Sequence, residues 1–135
     1  HTGQNDPSYN LPYAPAMKVH GGKLVFTATL AAPVYHHHPH RPEEFDNIPE
    51  DAGEQARMAM EQLKDILAAA GGTLQDIVWV TRFIRDIDKN QDAINRVYGE
   101  YMGSHRPASA TVEVVRMATD PRIKFEMAVV AAVPE

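Results

Sequence analysis

The alternation of hydrophobic and polar residues predicts five short strands. Residues 16–20 and 23–29 are β-prone runs on either side of Gly21 and Gly22, and glycine supplies the positive φ that a two-residue hairpin turn requires. Three further runs, rich in β-branched and aromatic residues, cover 75–86, 111–117 and 123–133. We therefore expect a hairpin at the start of the fold and three later strands.

Two segments have the 3.6-residue period of an amphipathic helix. Residues 51–70 end at a pair of glycines, and residues 90–102 end at Gly103. The apolar stripes consist of Ala56, Met60, Leu63 and Leu67 in the first helix, and of Ala93, Ile94, Val97 and Tyr101 in the second. The order β-β-α-β-α-β-β predicts an α+β fold with both helices on one face of a mixed sheet.

The other face of this sheet is expected to be apolar as well. The residues expected there are Val112, Val114, Phe125, Met127 and Val129. Two helices on the opposite side leave them uncovered, and burial of apolar surface contributes about 25 cal/mol per Å². We therefore expect other copies of the chain to cover this face.

Composition narrows the class of protein. The 135 residues suit one domain, in which residues 1–12 form an irregular arm. There is no apolar run of about 20 residues and no recognisable signal segment, so we expect a cytoplasmic protein without a membrane partner. The chain has no cysteine, which excludes disulfides and thiolate metal sites. The net charge of −5, without a basic stripe, argues against nucleic-acid binding.

The connection formed by residues 30–50 is long and rich in proline and histidine. Loops of this length are often functional, and His36, His38 and His40 are weak candidates for a metal site. Neighbouring side chains in an extended loop point in alternating directions, so one such run rarely supplies three ligands. We therefore expect no metal and no cofactor, and a loop that is solvated or lines a cleft.

Several blocks of residues, taken together and in order, carry a family resemblance. They are Pro12-Tyr13-Ala14-Pro15, residues 54–57 with 65–71 and 74–78, residues 95–101, and Arg106-Pro107-Ala108 with Val112-Glu113-Val114. Over about residues 11–133 the chain resembles the reactive-intermediate deaminase family (RidA, also called YjgF-like). None of these blocks is specific alone, but their collinearity is.

The resemblance implies a homotrimer with one ligand cleft at each subunit boundary. It also implies hydrolysis of an enamine or imine to a keto acid and ammonia. The family's tyrosine and asparagine correspond to Tyr13 and Asn95, and its catalytic glutamate to Glu126. A shift of two residues would place Lys124 at the glutamate position instead.

Three positions depart from the family pattern. The arginine that binds a substrate carboxylate corresponds to Ser109, a glycine after the second strand to Thr29, and a cysteine to Thr111. A charge-assisted contact is worth about 1.5–3 kcal/mol, and about 1.4 kcal/mol in a transition state is tenfold in rate. Turnover of small amino-acid-derived enamines is therefore expected to be weak, with an atypical substrate.

Arg82 lies on an otherwise apolar strand face and has two interpretations. It is either a replacement anion clamp that reaches the cleft, or half of an ion pair with Glu113 or Asp86. Ion pairing is the commoner reason for an arginine in such a place. The sequence favours the ion pair.

The function predicted from these residues is that of a small-molecule enzyme, a deaminase-like hydrolase. Glu126 would act as the general base, and Tyr13 would contribute beside it. Two alternatives stay open: a non-catalytic trimer that binds a small metabolite, and a metal-dependent enzyme that uses the histidine loop. Some relatives have been described as ribonucleases, which the acidic charge disfavours here.

Overall fold

The computed structural model describes residues 12–33 and 35–135, and it has the predicted α+β architecture. One four-stranded mixed sheet carries two helices on one face. The elements are β1 (Lys23–Leu30), α1 (Ala52–Ala69), β2 (Ile77–Arg85), α2 (Ile87–Met102), β3 (Ala108–Val114) and β4 (Phe125–Val133). The order in the sheet is β1-β4-β2-β3; β4 is antiparallel to both neighbours, and β2 and β3 are parallel.

The predicted first strand is wrong. Residues 16–20 are exposed and contain no strand, so the order of elements in the described chain is β-α-β-α-β-β. Gly21 and Gly22 do adopt positive φ values of 74° and 86°, but the segment before them lies beside the ends of β4 and β2. Met17 and Val19 would share one apolar side of such a strand, but both are exposed, because no strand in the described chain pairs with this run.

Side chains of β4 alternate strictly between the two sheet faces. Phe125, Met127 and Val129 are buried in the core beneath the helices, so their predicted position on the opposite face is wrong. Glu126 and Val130 occupy that opposite face instead. Both sets are largely apolar, so the hydrophobic pattern could not decide which set faces the helices, and a one-residue change in register exchanges them.

The face without helices is rich in exposed apolar side chains, as expected. Phe26 is 72% exposed and Trp79 is 41% exposed, and the strand register aligns both with Val130 of β4. Leu24 and Val112 extend this surface to either side. We call this surface the open sheet face.

A matched pair of glycine variants tests the chain path into β1. A Cβ atom at Gly22 would lie 2.8 Å from the carbonyl oxygen of Val133, whereas one at Gly21 would meet nothing within 4 Å. Both positions have positive φ, which costs a non-glycine residue about 1–2 kcal/mol. We expect Gly21→Ala to lower the free energy of unfolding by about that amount, and Gly22→Ala to lower it by clearly more. Urea unfolding measures both; equal losses would contradict the close approach of Gly22 to β4.

Candidate functional site

A cavity of about 460 Å³ lies between α2, the start of β3 and the segment around Tyr13. This volume is within the range of small-molecule sites. Its lining consists of Pro12, Tyr13, Arg82, Gln91, Asn95, Tyr98, Gly99, Met102, Gly103, His105, Arg106, Ser109 and Thr111. Two of these residues are arginines and none is acidic, although the whole chain has a net charge of −5.

Parallel pairing and helix geometry bring these side chains together. The register of β2 and β3 sets Arg82 directly beside Thr111, on the face that the helices cover. Asn95 and Tyr98 are three residues apart on α2 and therefore share one side of that helix. The backbone N–H of Ala14 donates to the carbonyl of Pro107 at 3.2 Å, which holds Tyr13 at the cavity.

The guanidinium of Arg82 is the central group of the site. Its Nε donates to Thr111 Oγ1 at 3.0 Å and its Nη2 donates to Asn95 Oδ1 at 2.8 Å. Its carbon Cζ lies 4.8 Å from the centre of the Tyr98 ring, a cation–π arrangement. Arg82 is only 9% exposed. A buried cation is therefore held by neutral groups.

The predicted ion pair of Arg82 is not formed. Glu113 accepts a hydrogen bond from the backbone N–H of Ile87 at 2.9 Å instead, and Asp86 lies 3.3 Å from Nε of Arg85. Within residues 12–33 and 35–135, no carboxylate oxygen lies within 4.0 Å of the Arg82 guanidinium. Burial lowers the pKa of Arg82, an effect that Tyr98 partly offsets. Of the two interpretations of Arg82, the favoured ion pair is therefore wrong for the described residues, and the arginine lines the cavity instead.

The structure brings five of the predicted site residues to one cavity. They are Tyr13, Arg82, Asn95, Ser109 and Thr111. Thr29 and Glu126 are not among the lining residues of the same chain. Thr29 is buried on β1 beside Met127, and its hydroxyl has no hydrogen-bond partner in the described part of the chain.

Glu126 and Lys124 lie on or near β4, away from this cavity. Glu126 is half-buried on the open sheet face, in register with Leu30 and Phe83. Burial raises the pKa of its carboxyl group. Lys124 precedes the strand; its backbone N–H donates to Gln55 Oε1 at 2.7 Å and its Nζ contacts the Glu50 carbonyl. A carboxylate from β4 therefore has to come from another copy of the chain to act at this cavity.

Sequence reasoning missed several lining residues. Tyr98 packs at the edge of the core and lines the cavity, and its position three residues after Asn95 is the signal that could have identified it. His105 and Arg106 belong to the turn before β3, where His105 Nε2 lies 2.8 Å from the Ile77 carbonyl oxygen. Gln91 lies one helical turn before Asn95. Helical spacing from Asn95 would have found Gln91 and Tyr98, but no signal marks His105.

The histidine loop is organised around Glu44. The backbone N–H of His36 donates to Glu44 Oε1 at 2.9 Å, and His37 Nδ1 lies 3.2 Å from the same oxygen. The hydrogen bond from His36 lowers the pKa of Glu44. The His40 ring packs edge-on against Tyr35, at 4.7 Å between centres. In the described ranges, no three histidine, aspartate or glutamate side chains are placed to hold a metal ion, His36, His38 and His40 included.

No helix in the part of the chain that the structure describes is long and apolar enough to span a bilayer.

Comparison with known proteins gives consistent matches. A family profile described as Endoribonuclease L-PSP matches residues 4–133. A RutC family protein of Pyrococcus abyssi is 36% identical over 115 residues, which is 85% of this chain and 83% of that protein. The 3-aminoacrylate deaminase RutC of Acinetobacter baylyi is 42% identical over 75 residues, 56% of this chain and 59% of that protein. Among solved structures, yeast Mmf1 has the same fold, with a TM-score of 0.66, 24% identity and coverage of 92% and 95%.

Proposed function

Because this chain belongs to the Endoribonuclease L-PSP family, which includes the RidA and RutC proteins, we propose that it hydrolyses an imine or enamine of a small molecule. The observation that carries the proposal is the single cavity lined by Tyr13, Asn95, Ser109 and Thr111. These are four of the positions at which the family resemblance predicts substrate contacts. The relative from Acinetobacter baylyi is itself named as a deaminase of an enamine acid.

The proposed reaction needs a positioned substrate and one activated water molecule. An enamine first takes a proton on carbon and loses one from nitrogen, which gives the imine. Water then adds to the imine carbon and forms a carbinolamine. As the C–N bond breaks, both hydrogens of that water have passed to nitrogen, so ammonia leaves and a carbonyl compound remains. Asn95 and Tyr13 offer polar groups that can orient the substrate, and a general base such as Glu126 can take the proton from water.

We further propose a homotrimer in which the open sheet faces pack together. The exposed Phe26 and Trp79 support this, since apolar patches of this kind usually mark an interface. Glu126 lies on the same face and lines no part of its own chain's cavity. In the proposed assembly, Glu126 of one copy would complete the cavity of the next.

The substrate is proposed to differ from that of relatives with an arginine at position 109. Ser109 is half-buried, and its short side chain leaves space that a long arginine would fill. The pocket should therefore accept imines bulkier than the one that 2-aminoacrylate forms. Discrimination of this kind is worth about 1–3 kcal/mol for each methylene in an apolar pocket.

Release of ammonia tests the proposal directly. We expect the protein to accelerate the decay of imino acids generated in solution, with a larger acceleration for 2-imino-4-methylpentanoate than for 2-aminoacrylate. Coupled detection of ammonia and of the 2-oxo acid measures both products. Absence of acceleration for every imine tested would contradict the proposed hydrolysis.

A non-catalytic binding protein is the second candidate. It is favoured by one observation: among the described residues, no carboxylate lines the cavity, so one chain holds no evident general base. This candidate predicts that 2-oxo acids bind without any acceleration of imine decay. We regard RNA cleavage as a poor fit despite the family description, because an acidic chain without a basic stripe lacks the surface that RNA requires.

A further inference from the structure

We propose that Arg82 is the anion-binding residue of the cavity, and that the substrate carries a carboxylate seated between β2 and α2. The inference rests on the proposed function for the identity of the ligand as an imino acid. It differs from the family resemblance, which assigns the carboxylate to an arginine at position 109. In this chain the positive charge would come from the neighbouring strand.

The hydrogen bonds of Arg82 leave its charge uncompensated. A guanidinium has five N–H groups, and here Nε and one N–H of Nη2 are used, both on neutral oxygens. Among residues 12–33 and 35–135, the three other N–H groups, two on Nη1 and one on Nη2, meet no acceptor, and Arg82 lines the cavity. A buried charge without an opposite charge is unfavourable unless a ligand supplies one. An anion in the cavity would supply it.

Asn95 and Thr111, which accept hydrogen bonds from Arg82, also offer hydrogen-bond donors to the cavity. A guanidinium only donates, so the Asn95 atom that faces it is the oxygen, and the Asn95 NH₂ group points away from Arg82. Thr111 Oγ1 likewise accepts from Arg82, which leaves its own O–H proton free to donate elsewhere. Arg82 therefore fixes two further donors, the Asn95 amide and the Thr111 hydroxyl, and the Ser109 hydroxyl adds a third donor to the lining.

The charges around the cavity have one sign. Arg106 is the second cation of the lining; it is exposed and donates to the Gly103 carbonyl at 2.5 Å. With no acidic residue in the described lining, the cavity is positive within an acidic protein. A cleft of one sign concentrates ligands of the opposite sign and speeds their binding. This combination favours an anion over a neutral imine.

The arrangement also explains why Ser109 is compatible with an anionic substrate. Position 109 pairs with Val80, and position 111 pairs with Arg82. The side chain of Arg82 therefore lies on the same helix-covered face as position 109, but on the neighbouring strand and two residues further along. The planar fork of an arginine fits a carboxylate with two parallel hydrogen bonds. The carboxylate would be displaced toward α2, with the reacting carbon nearer to Ser109.

Binding of pyruvate and of its neutral counterpart pyruvamide tests the proposal by titration calorimetry. Pyruvate is the 2-oxo acid formed from 2-aminoacrylate and lacks the reactive imine. We expect the wild-type protein to prefer pyruvate over pyruvamide, and Arg82→Met to lower pyruvate affinity by about 10- to 150-fold. Pyruvamide affinity should change little. Arg116→Met, which removes an exposed arginine bonded to Met117 and Ala118 carbonyls, is the control and should leave both affinities unchanged.

A second variant separates an anion-binding role from a structural one. Asn95→Asp keeps the shape of the side chain and places a carboxylate at the position that now lies 2.8 Å from Arg82 Nη2. We expect this internal counterion to raise the melting temperature and to lower pyruvate affinity at least tenfold. An arginine with only a structural role would gain the same stability without any change in pyruvate affinity.

The outcomes distinguish this inference from the proposed function. Wild-type protein that fails to bind pyruvate at millimolar concentration, or a folded Arg82→Met variant with wild-type pyruvate affinity, overturns the anion site. Turnover of imines that persists in Arg82→Met overturns the anion site but leaves the hydrolase intact. Pyruvate binding that depends on Arg82, without any turnover, supports the anion site and removes the hydrolase. Inorganic phosphate bound more tightly than pyruvate through Arg82 would overturn the assignment of the anion as a carboxylate.

Discussion

Replacing Trp79 with aspartate should dissociate the assembly into monomers and abolish imine hydrolysis. Trp79 lies on the open sheet face, in the same row as Phe26 and Val130. Its ring is exposed in one chain, and its Nε1 donates to Thr81 Oγ1 at 2.8 Å. In a trimer, each of the three copies would bury one such carboxylate without a counterion, which costs several kcal/mol for each charge. Analytical ultracentrifugation measures the change in mass.

Ile66→Asp is the matched control for this variant. Ile66 is 37% exposed on α1, close to the 41% of Trp79, but it lies on the helical layer, away from the open sheet face. The same change of an exposed apolar residue to a charged one should leave both mass and activity unchanged there. A Trp79→Asp variant that stays trimeric, or a wild-type protein that is monomeric, would remove the open sheet face from the account.

Glu126→Gln should lower the rate of imine hydrolysis by at least about a hundredfold, the usual contribution of a general base. The amide has the same shape, so assembly and pyruvate binding should persist. Burial raises the pKa of the Glu126 carboxyl above its ordinary value. Since a base acts in its deprotonated form, the wild-type rate should rise with pH through that raised pKa. The pH–rate profile of wild type and variant measures both effects.

The same shift has a consequence for stability. A carboxyl whose pKa is raised on folding holds its proton more tightly in the folded chain than in the unfolded chain. Stability is therefore greatest below the ordinary pKa and falls as the pH rises through the raised one. Glu126→Gln should remove this fall, which thermal melts at a series of pH values would show.

Lys124→Met decides between the two residues that compete for the catalytic position. We expect Lys124→Met to retain turnover, because the Lys124 ammonium is directed at the Glu50 carbonyl. If Lys124→Met abolishes turnover while Glu126→Gln retains it, the assignment of the general base is wrong.

Local patterns predicted most of the fold. The apolar stripes of α1 and α2 and the glycines after them fixed both helices, because period and stop signals act within a few residues. Local patterns could not predict which side of β4 faces the helices, since Met127 and Val130, on opposite sides, are equally suited to a buried face. The strand predicted at 16–20 is wrong because β-propensity alone does not form a strand; the segment must also pair with a neighbouring strand.

The candidate site divides in the same way. Asn95, Ser109 and Thr111 were found from the order of matched blocks along the chain. The partners of Arg82 depend on the parallel register of β2 and β3, which joins residues 29 positions apart. The sequence suggested Glu113 and Asp86 as ion-pair partners of Arg82, but both are engaged elsewhere. Whether Glu126 reaches a cavity depends on a second copy of the chain.

The central claim is that this cavity is an anion-binding substrate site to which two copies of the chain contribute. A crystal structure of the protein grown with pyruvate tests this claim most directly. We predict a trimer packed through the open sheet faces, with the pyruvate carboxylate within hydrogen-bonding distance of the Arg82 guanidinium. Glu126 of a neighbouring copy should face the pyruvate carbonyl. Pyruvate bound elsewhere, or an Arg82 guanidinium paired with a protein carboxylate beside an empty cavity, would contradict the account.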